Sequence, residues 1–307
     1  MAGNCSNPEF KNVFNHECSG ILSQYLFAFG LFILCIFGWF GNWVICAVIA
    51  FQPRMRSGAN YYIFSHAICD SLCLLVVLFW SGYSLKLLPS DSFLTMPILS
   101  TGIFTNCTSV GITLALAADR YIAVCHPLHC RTLCSNSRAV LTILGISIIN
   151  ATYPSAYGFC SSSTNNVFCQ KIIYVFTLEC YLITFYFLPV VAICILYFLI
   201  VVDIRSSSRW RLKRMSRTMQ SLRIPIIIVI ECLLCLGPFN VMALIHNHYP
   251  PMTYLNIVSI IYKVTYFLFV LTTTINPVLY LLVSTEFRKF VKVFFKTPTV
   301  RSIKSSI

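Results

Sequence analysis

The sequence predicts an all-α membrane protein, a bundle of seven transmembrane helices followed by a short amphipathic eighth helix. Of its 307 residues, 58% are apolar and only 10% are charged, whereas about a quarter of the residues of a soluble domain are charged. The apolar residues lie in seven runs, each long enough to cross a hydrocarbon core of about 30 Å as a helix. Such runs are too long for the alternating strands of a membrane barrel.

The seven predicted spans leave no room for a separate soluble domain. They lie at residues 21–50, 61–88, 97–124, 139–159, 172–202, 224–245 and 254–283. We therefore expect an outer N-terminus at 1–20, one transmembrane domain at 21–283, and an inner amphipathic helix and tail at 284–307. The first 20 residues are polar and contain no apolar stretch typical of a cleavable signal peptide, so we expect the first span to direct insertion.

The distribution of lysine and arginine predicts the orientation in the membrane. Of the 22 basic residues, 18 lie on one side of the spans, and the others are Lys11, Lys86, Lys171 and Lys263. Loops rich in positive charge stay in the cytoplasm, so we expect a plasma-membrane protein with its N-terminus outside and its C-terminus inside. Because the basic residues lie in short loops between apolar runs, the net charge of +13 does not indicate nucleic-acid binding.

The predicted outer side carries candidate sites of covalent modification. Asn4 begins an Asn-Cys-Ser glycosylation acceptor. We interpret the acceptors at Asn106 and Asn150 as chance matches, because both fall within spans. Cys160 and Cys169 are the first candidates for a disulfide, although the other outer cysteines leave different pairings open.

Short motifs occur in order along the spans. They are Gly41-Asn42-Trp43-Val44, Asp70, Asp119-Arg120-Tyr121, Pro189 with Tyr197, Cys235-Leu236-Gly237-Pro238 and Asn276-Pro277-Val278-Leu279-Tyr280. Each motif is weak alone, but the ordered set resembles the rhodopsin-like family of G-protein-coupled receptors over residues 42–295. The resemblance implies a receptor that binds an extracellular ligand and activates a heterotrimeric G protein. Neither the His-Glu-x-x-His pattern nor the Gly-x-Ser-x-Gly pattern of an enzyme is present.

The resemblance gives the Asp119-Arg120-Tyr121 motif the role of a switch. In this role Asp119 holds Arg120 at rest and releases it to the G protein on activation. The alternative is an interfacial charge pair that only anchors the end of the helix. In many relatives a carboxylate near the start of the sixth span also holds this arginine, but the aligned residue here is Thr218. We therefore expect a lower barrier to activation.

Three prolines are candidate hinges within spans. Pro189, Pro238 and Pro277 each remove a helical hydrogen bond and permit a kink. The resemblance adds Tyr197 and Tyr280 as tyrosines that swing inward on activation, together with the Asn276 that precedes the last hinge. The alternative is that proline is simply frequent in membrane helices, which is how we interpret Pro154 and Pro225.

Asp70 is a carboxylate deep in a predicted span, where it needs partners or a proton. The resemblance implies a sodium ion at this position, because Asp70, Ser109 and Asn276 match the family's site. Oxygen ligands suit such a hard cation. The alternative is a protonated Asp70 within a polar contact between helices. No other cofactor is expected.

Departures from the family pattern narrow the ligand class. The usual disulfide cysteine of the third span is replaced by Thr95, the aspartate of amine receptors by Gly102, the lysine of opsins by Val270 and the sixth-span tryptophan by Leu236. Amine and retinal ligands therefore lose support. By depth in the spans, the predicted pocket consists of Gly102, Phe104, Phe185, Leu236, Phe239, Asn240 and Tyr266. We rank a chemosensory small molecule slightly above a neuropeptide.

The predicted inner surface is basic. Residues 203–223 carry seven arginines and lysines, which fit both attraction to anionic lipid and docking of a G protein. Residues 286–296 alternate basic residues with phenylalanine and valine, as in a helix lying on the membrane surface. The different classes that remain are a transporter or channel, although no internal repeat is visible, and a receptor that no longer signals. The sequence offers no partner for Glu231 in the sixth span.

Overall fold

The computed structural model describes residues 8–85, 87, 92–162, 180, 182–206, 222, 226–248, 257–283 and 287–291, and the regular elements in these residues are all helical. The α-helices are α1 (Pro8–Phe51), α2 (Gly58–Ser84), α3 (Ser92–Cys125), α4 (Pro127–Leu133), α5 (Asn136–Ser162), α6 (Leu188–Ser206), α7 (Gly237–His248) and α8 (Ile257–Val283). A 3-10 turn at Pro53–Met55 lies between α1 and α2.

The helices correspond to the predicted spans. Five are long and apolar enough to cross a membrane, namely Ser23–Phe51, Gly58–Tyr83, Ser100–Cys125, Ile183–Ser206 and Ile260–Leu282. The sixth predicted span contains the shorter apolar helix Ile226–Met242. The fourth lies within α5, whose 27 residues form about 40 Å of helix, so its length also suffices.

The outer face of α1 has the character of a lipid-facing surface. Phe29, Phe37, Phe40 and Trp43 are between 56% and 69% exposed. Burying an aromatic side chain away from water is worth about 2 kcal/mol, so a row of exposed rings of this size would be costly in water. The bundle therefore presents to lipid the side chains that a soluble protein would bury.

Helix α1 approaches α8 closely because glycines face the contact. A Cβ atom added at Gly38 would lie 2.8 Å from Thr274 Oγ1 and 3.0 Å from Thr274 Cα, and one at Gly41 would lie 2.9 Å from Pro277 Cβ. Small residues at helix contacts are typical of membrane bundles, in which dispersion contacts and hydrogen bonds replace the hydrophobic effect between helices. Helix α1 also packs on α2, while α3 occupies the centre and contacts α2, α5 and α6.

The fifth and sixth spans each contain a π-helical segment. The segments are Ile183–Phe187 and Cys232–Leu236, and each ends two residues before a predicted hinge, Pro189 or Pro238. Proline lacks the N–H that the regular ladder needs, and a π segment is one of the usual causes of a bend. The predicted kinks thus lie beside local departures from α-helical geometry.

Helix ends differ from the predicted boundaries at several places. Helix α1 begins at Pro8 rather than at residue 21, and α4, which was not predicted, begins at Pro127. Proline suits the first helical position because its φ is fixed near the helical value and the missing N–H has no partner there in any case. Helix α3 begins before Pro97, which lies inside it. Of the predicted amphipathic helix, residues 287–291 are described and helical, and its position on the membrane surface stays a prediction.

Candidate functional site: the Arg120 end and the polar interior

Arg120 lies near the end of α3 in contact with its neighbour in sequence. Its Nη2 atom is 3.6 Å from Asp119 Oδ2, and both side chains are mostly buried. The Nε atom of Arg120 is buried without a hydrogen-bond partner among the described residues. A guanidinium keeps its charge and has five N–H donors, so Arg120 retains an unused donor. This geometry is compatible with the predicted switch and with the simpler role of an anchor.

The short helix α4 is held against the same end of α3. The Cys134 thiol donates to the Asp119 carbonyl over a Sγ–O distance of 3.8 Å. Burial raises the pKa of this thiol to about 12, so it stays a protonated donor at neutral pH. The Tyr121 hydroxyl lies 3.3 Å from His126 Nε2, and His126 immediately precedes α4. The chain after the motif is thus positioned by contacts from two residues of the motif itself.

The two predicted switch tyrosines lie inside the bundle. Tyr280 is 1% exposed, and its ring stacks on Phe287 with a centroid distance of 6.1 Å. Its hydroxyl is buried without a partner within the described part of the chain. Tyr197 packs against Val124 and Ile200, at the boundary of α3 and α6. A movement of either tyrosine remains a prediction.

Asn42 connects α1 to the part of α8 that contains Pro277. Its Nδ2 atom donates to the Gly38 carbonyl and to the Thr273 carbonyl, in both cases over 2.9 Å. The usual helical donor to the Thr273 carbonyl would be the backbone N–H four residues later, but that residue is Pro277, which has none. Asn42 therefore supplies the hydrogen bond that the proline removes.

Asp70 is bonded on two sides in the interior of the bundle. Its Oδ2 atom accepts a hydrogen bond from Asn276 Nδ2 over 2.9 Å and lies 3.2 Å from His66 Nδ1. His66, Asp70 and Asn276 are all less than 8% exposed. His66 was not predicted as a site residue, although its spacing of four residues before Asp70 places the two side chains on one face of a helix.

Beside Asp70 lies a cavity of about 40 Å³, large enough for two or three waters. The ionisable and polar residues that line it are His66, Asp70, Cys73, Thr105, Asn106, Ser109, Glu231, Cys232, Thr272 and Thr273. Glu231 thus faces the same space as Asp70, from another helix. Its Oε1 atom is buried and has no hydrogen-bond partner in the ranges that the structure describes.

The oxygen donors predicted for sodium are only partly arranged for an ion. Asp70 and Ser109 line the cavity. Asn276, however, presents its amide nitrogen to Asp70, and its Oδ1 atom has no partner among the residues described. A hard cation needs oxygen lone pairs, whereas Asp70 Oδ2 already faces two nitrogen atoms. A sodium ion at this position stays a prediction to which these contacts lend little support.

Most of the predicted pocket residues meet in one apolar cluster. Phe185, Leu236, Phe239 and Tyr266 belong to it, and Phe239 lies 5.7 Å from Tyr266 between ring centroids. Asn240 is 1% exposed beside this cluster. The cluster does not include Phe104, which lies on α3.

Asn240 and Gly102, which were also predicted for the pocket, lie at contacts between α3 and other helices. Asn240 Oδ1 accepts from Asn106 Nδ2 over 3.5 Å, so Asn106 lies in the interior, in agreement with its interpretation as a chance glycosylation match. A Cβ atom at Gly102 would lie 3.2 Å from Val76 Cγ1. Gly102 therefore faces α2.

Tyr186 is a second residue, besides His66, for which the sequence predicts no role. Its hydroxyl donates to the Cys232 carbonyl over 2.8 Å, and so connects the π segment of the fifth span to that of the sixth. A Cβ atom at Gly237 would lie 3.1 Å from this hydroxyl, so the glycine leaves room for it. The nearby Pro189 and Gly237-Pro238 were visible in the sequence, but a hydroxyl-to-carbonyl contact between spans has no sequence signature.

Several predicted features lie outside the described residues. They are Asn4, Cys169, the side chains of Cys160 and Thr95, Thr218, and the basic residues of 207–221. The glycosylation, the disulfide and the missing second contact to Arg120 accordingly stay predictions.

Comparisons with known proteins agree with this arrangement. Residues 41–280 match the model of the 7 transmembrane receptor (rhodopsin family). Neuromedin-U receptor 2 of Mus musculus is 25% identical over 83% of this chain and 71% of its own length. Somatostatin receptor type 4 of Rattus norvegicus is 29% identical over 84% and 69%. The FMRFamide receptor of Drosophila melanogaster is 25% identical over 86% of this chain, which spans 53% of that receptor.

Proposed function

Because the chain belongs to the rhodopsin family of seven-transmembrane receptors, we propose that it is a plasma-membrane receptor for an extracellular peptide, and that Arg120 transmits the signal to a heterotrimeric G protein. The observation that carries the coupling role is the Asp119–Arg120 ion pair of 3.6 Å with the unused buried Nε donor. An arginine whose ion pair is this long, and whose Nε donor has no partner among the described residues, can exchange Asp119 for another partner.

The proposal of a peptide ligand is based on the relatives. The three receptors described above are all named for peptides, and each alignment covers more than four fifths of this chain. The prediction of a chemosensory small molecule is not confirmed. It remains the second candidate because the cluster of Phe239, Tyr266 and Phe185 is aromatic and apolar, which suits a compact ligand.

The orientation proposed for the receptor follows from its charges. The 18 basic residues on the Arg120 side of the spans support a cytoplasmic position for that end, where a G protein is available. The basic stretch at 203–223 then adds a docking surface and contacts to anionic lipid.

The test is ligand-free guanine-nucleotide exchange in membranes from cells that express the wild type or Arg120→Ala at equal surface levels. With Thr218 in place of a second carboxylate partner, we expect a basal signal in the wild type and its loss in Arg120→Ala. Arg138→Ala is the matched control, because Arg138 lies exposed at the start of α5 and should leave the signal unchanged. A basal signal that survives Arg120→Ala would refute the role of Arg120.

The ligand class is tested separately by screening the wild type against peptide and small-molecule libraries. A peptide that raises exchange in the wild type but not in Arg120→Ala would support the proposal. A response confined to apolar small molecules would instead favour the second candidate.

A further inference from the structure

The contacts of Asp70 indicate how the polar interior is stabilised, whichever ligand the receptor binds. The carboxylate that would hold a cation in this family already has two nitrogen neighbours. Asn276 Nδ2 lies 2.9 Å and His66 Nδ1 lies 3.2 Å from the same oxygen, Oδ2.

His66 is part of the packed interior of the bundle. His66 is 7% exposed and Asp70 is 2% exposed, and the two residues are one helical turn apart on α2. In the tautomer with its proton on Nδ1, and equally as an imidazolium, His66 donates to Asp70. The imidazolium is a positive partner for the buried carboxylate, as a cation would be, and the neutral tautomer supplies an N–H hydrogen bond.

A sodium ion bound to Asp70 Oδ2 would have to displace this donor. Beside a cation, the N–H groups of His66 and Asn276 would point positive charge at positive charge, so both side chains would have to turn away. Asn276 would also have to offer its Oδ1, which now has no partner within the described residues. The displaced imidazole would then need another acceptor in the interior, because an unbonded buried polar group is costly.

We propose that His66 takes the place of the sodium ion in this receptor. Asp70 is then bonded by a donor of the chain itself, and the stability of the receptor does not depend on sodium. The neighbouring cavity of about 40 Å³, which Glu231 also lines, is then filled by water. Removing the imidazole would leave Asp70 Oδ2 without one of its two donors and create a site with oxygen atoms from Asp70, Ser109 and Glu231, which all line that cavity.

The experiment measures the thermal midpoint of the full chain, purified in lipid nanodiscs at one pH. The buffer contains sodium chloride at about 0.15 M or choline chloride at the same ionic strength, so that screening is equal. We expect the wild type to unfold at the same temperature in both salts. His66→Leu should unfold at a higher temperature in sodium than in choline. If about 0.15 M is ten times the dissociation constant of the new site, the folding equilibrium constant rises about elevenfold, which is roughly 3–6 °C.

Two further variants test whether the sodium dependence arises from the loss of His66 beside Asp70. In the double variant His66→Leu/Asp70→Asn the sodium dependence should disappear, because the charged carboxylate is gone. His129→Leu removes a histidine from the exposed helix α4 and should behave like the wild type.

The wild type alone can overturn the proposal, even if His66→Leu does not fold. A sodium-dependent midpoint in the wild type that Asp70→Asn or Glu231→Gln removes would show that the cavity holds a cation despite His66. A folded His66→Leu without sodium dependence would show that the histidine is not what excludes the ion. Both readouts are independent of G-protein coupling, so they separate this inference from the proposed function.

Discussion

The contact between α1 and α8 makes a quantitative prediction for Gly38→Ala. The added methyl carbon would lie 2.8 Å from Leu74 Cδ1 and from Thr274 Oγ1, and 3.0 Å from Thr274 Cα. The two side chains can rotate, but the Cα atom moves only with the backbone of α8. Overpacking costs about 1–3 kcal/mol, and we expect the upper part of this range, about 2–3 kcal/mol, because backbone is involved.

Gly30→Ala is the matched control on the same helix. Its added methyl would have one neighbour, Phe267 Cε2 at 4.0 Å, which is an ordinary contact. Both substitutions share the gain in helix propensity of about 1 kcal/mol that alanine has over glycine. The difference between the two variants therefore isolates the clash, and at 2–4 °C for each kcal/mol it corresponds to about 4–12 °C in the thermal midpoint.

Buried thiols provide the assay. Cys35, Cys69, Cys73, Cys107 and Cys232 are all buried, so a thiol-reactive fluorophore reports their exposure as the purified receptor unfolds. Midpoints of the two variants that agree within about 1 °C, or a higher midpoint for Gly38→Ala, would refute the argument that α1 and α8 meet through a glycine contact.

Two more substitutions test hydrogen bonds between spans by the same assay. Asn42→Ala should lower stability by about 1–3 kcal/mol, because the Thr273 carbonyl loses the donor that replaces the missing N–H of Pro277; an unchanged midpoint would contradict this role. Tyr186→Phe should cost only about 1 kcal/mol, since the Cys232 carbonyl keeps the backbone N–H of the residue after its π segment. A loss as large as that of Asn42→Ala would show that the hydroxyl does more than bond this carbonyl.

The spans were predictable because length and apolar composition alone determine whether a helix can cross a membrane. The contacts between spans were not, because a helix that is apolar all round gives no sign of which face meets which neighbour. Glu231 illustrates the limit, since its position within the sixth span was evident but its access to the Asp70 cavity depends on the rotation of that span. The π segments were missed for a related reason, because one extra residue per turn leaves no trace in a continuous apolar run.

Helix α4 and the contact of His66 with Asp70 each have a local signature in the sequence. Pro127 after His126 marks the start of α4, as proline at a first helical position often does. His66, four residues before Asp70, is a spacing at which helical side chains meet. The family resemblance implies a site of Asp70, Ser109 and the seventh-span asparagine, and it assigns no role to His66.

The hydrogen bonds between spans are unevenly distributed along the sixth span. Asn240 meets Asn106, and the Cys232 carbonyl meets Tyr186, so the π segment and the helix after it are bonded to α3 and to the fifth span. The preceding turn, 226–231, is apolar apart from Glu231, whose Oε1 atom has no partner among the described residues. Between membrane helices, hydrogen bonds and close packing provide what the hydrophobic effect provides in water. Among the described residues, the sixth span is therefore held by hydrogen bonds at and after its π segment, and before that segment by the packing of Ile228 and Val229 in buried clusters.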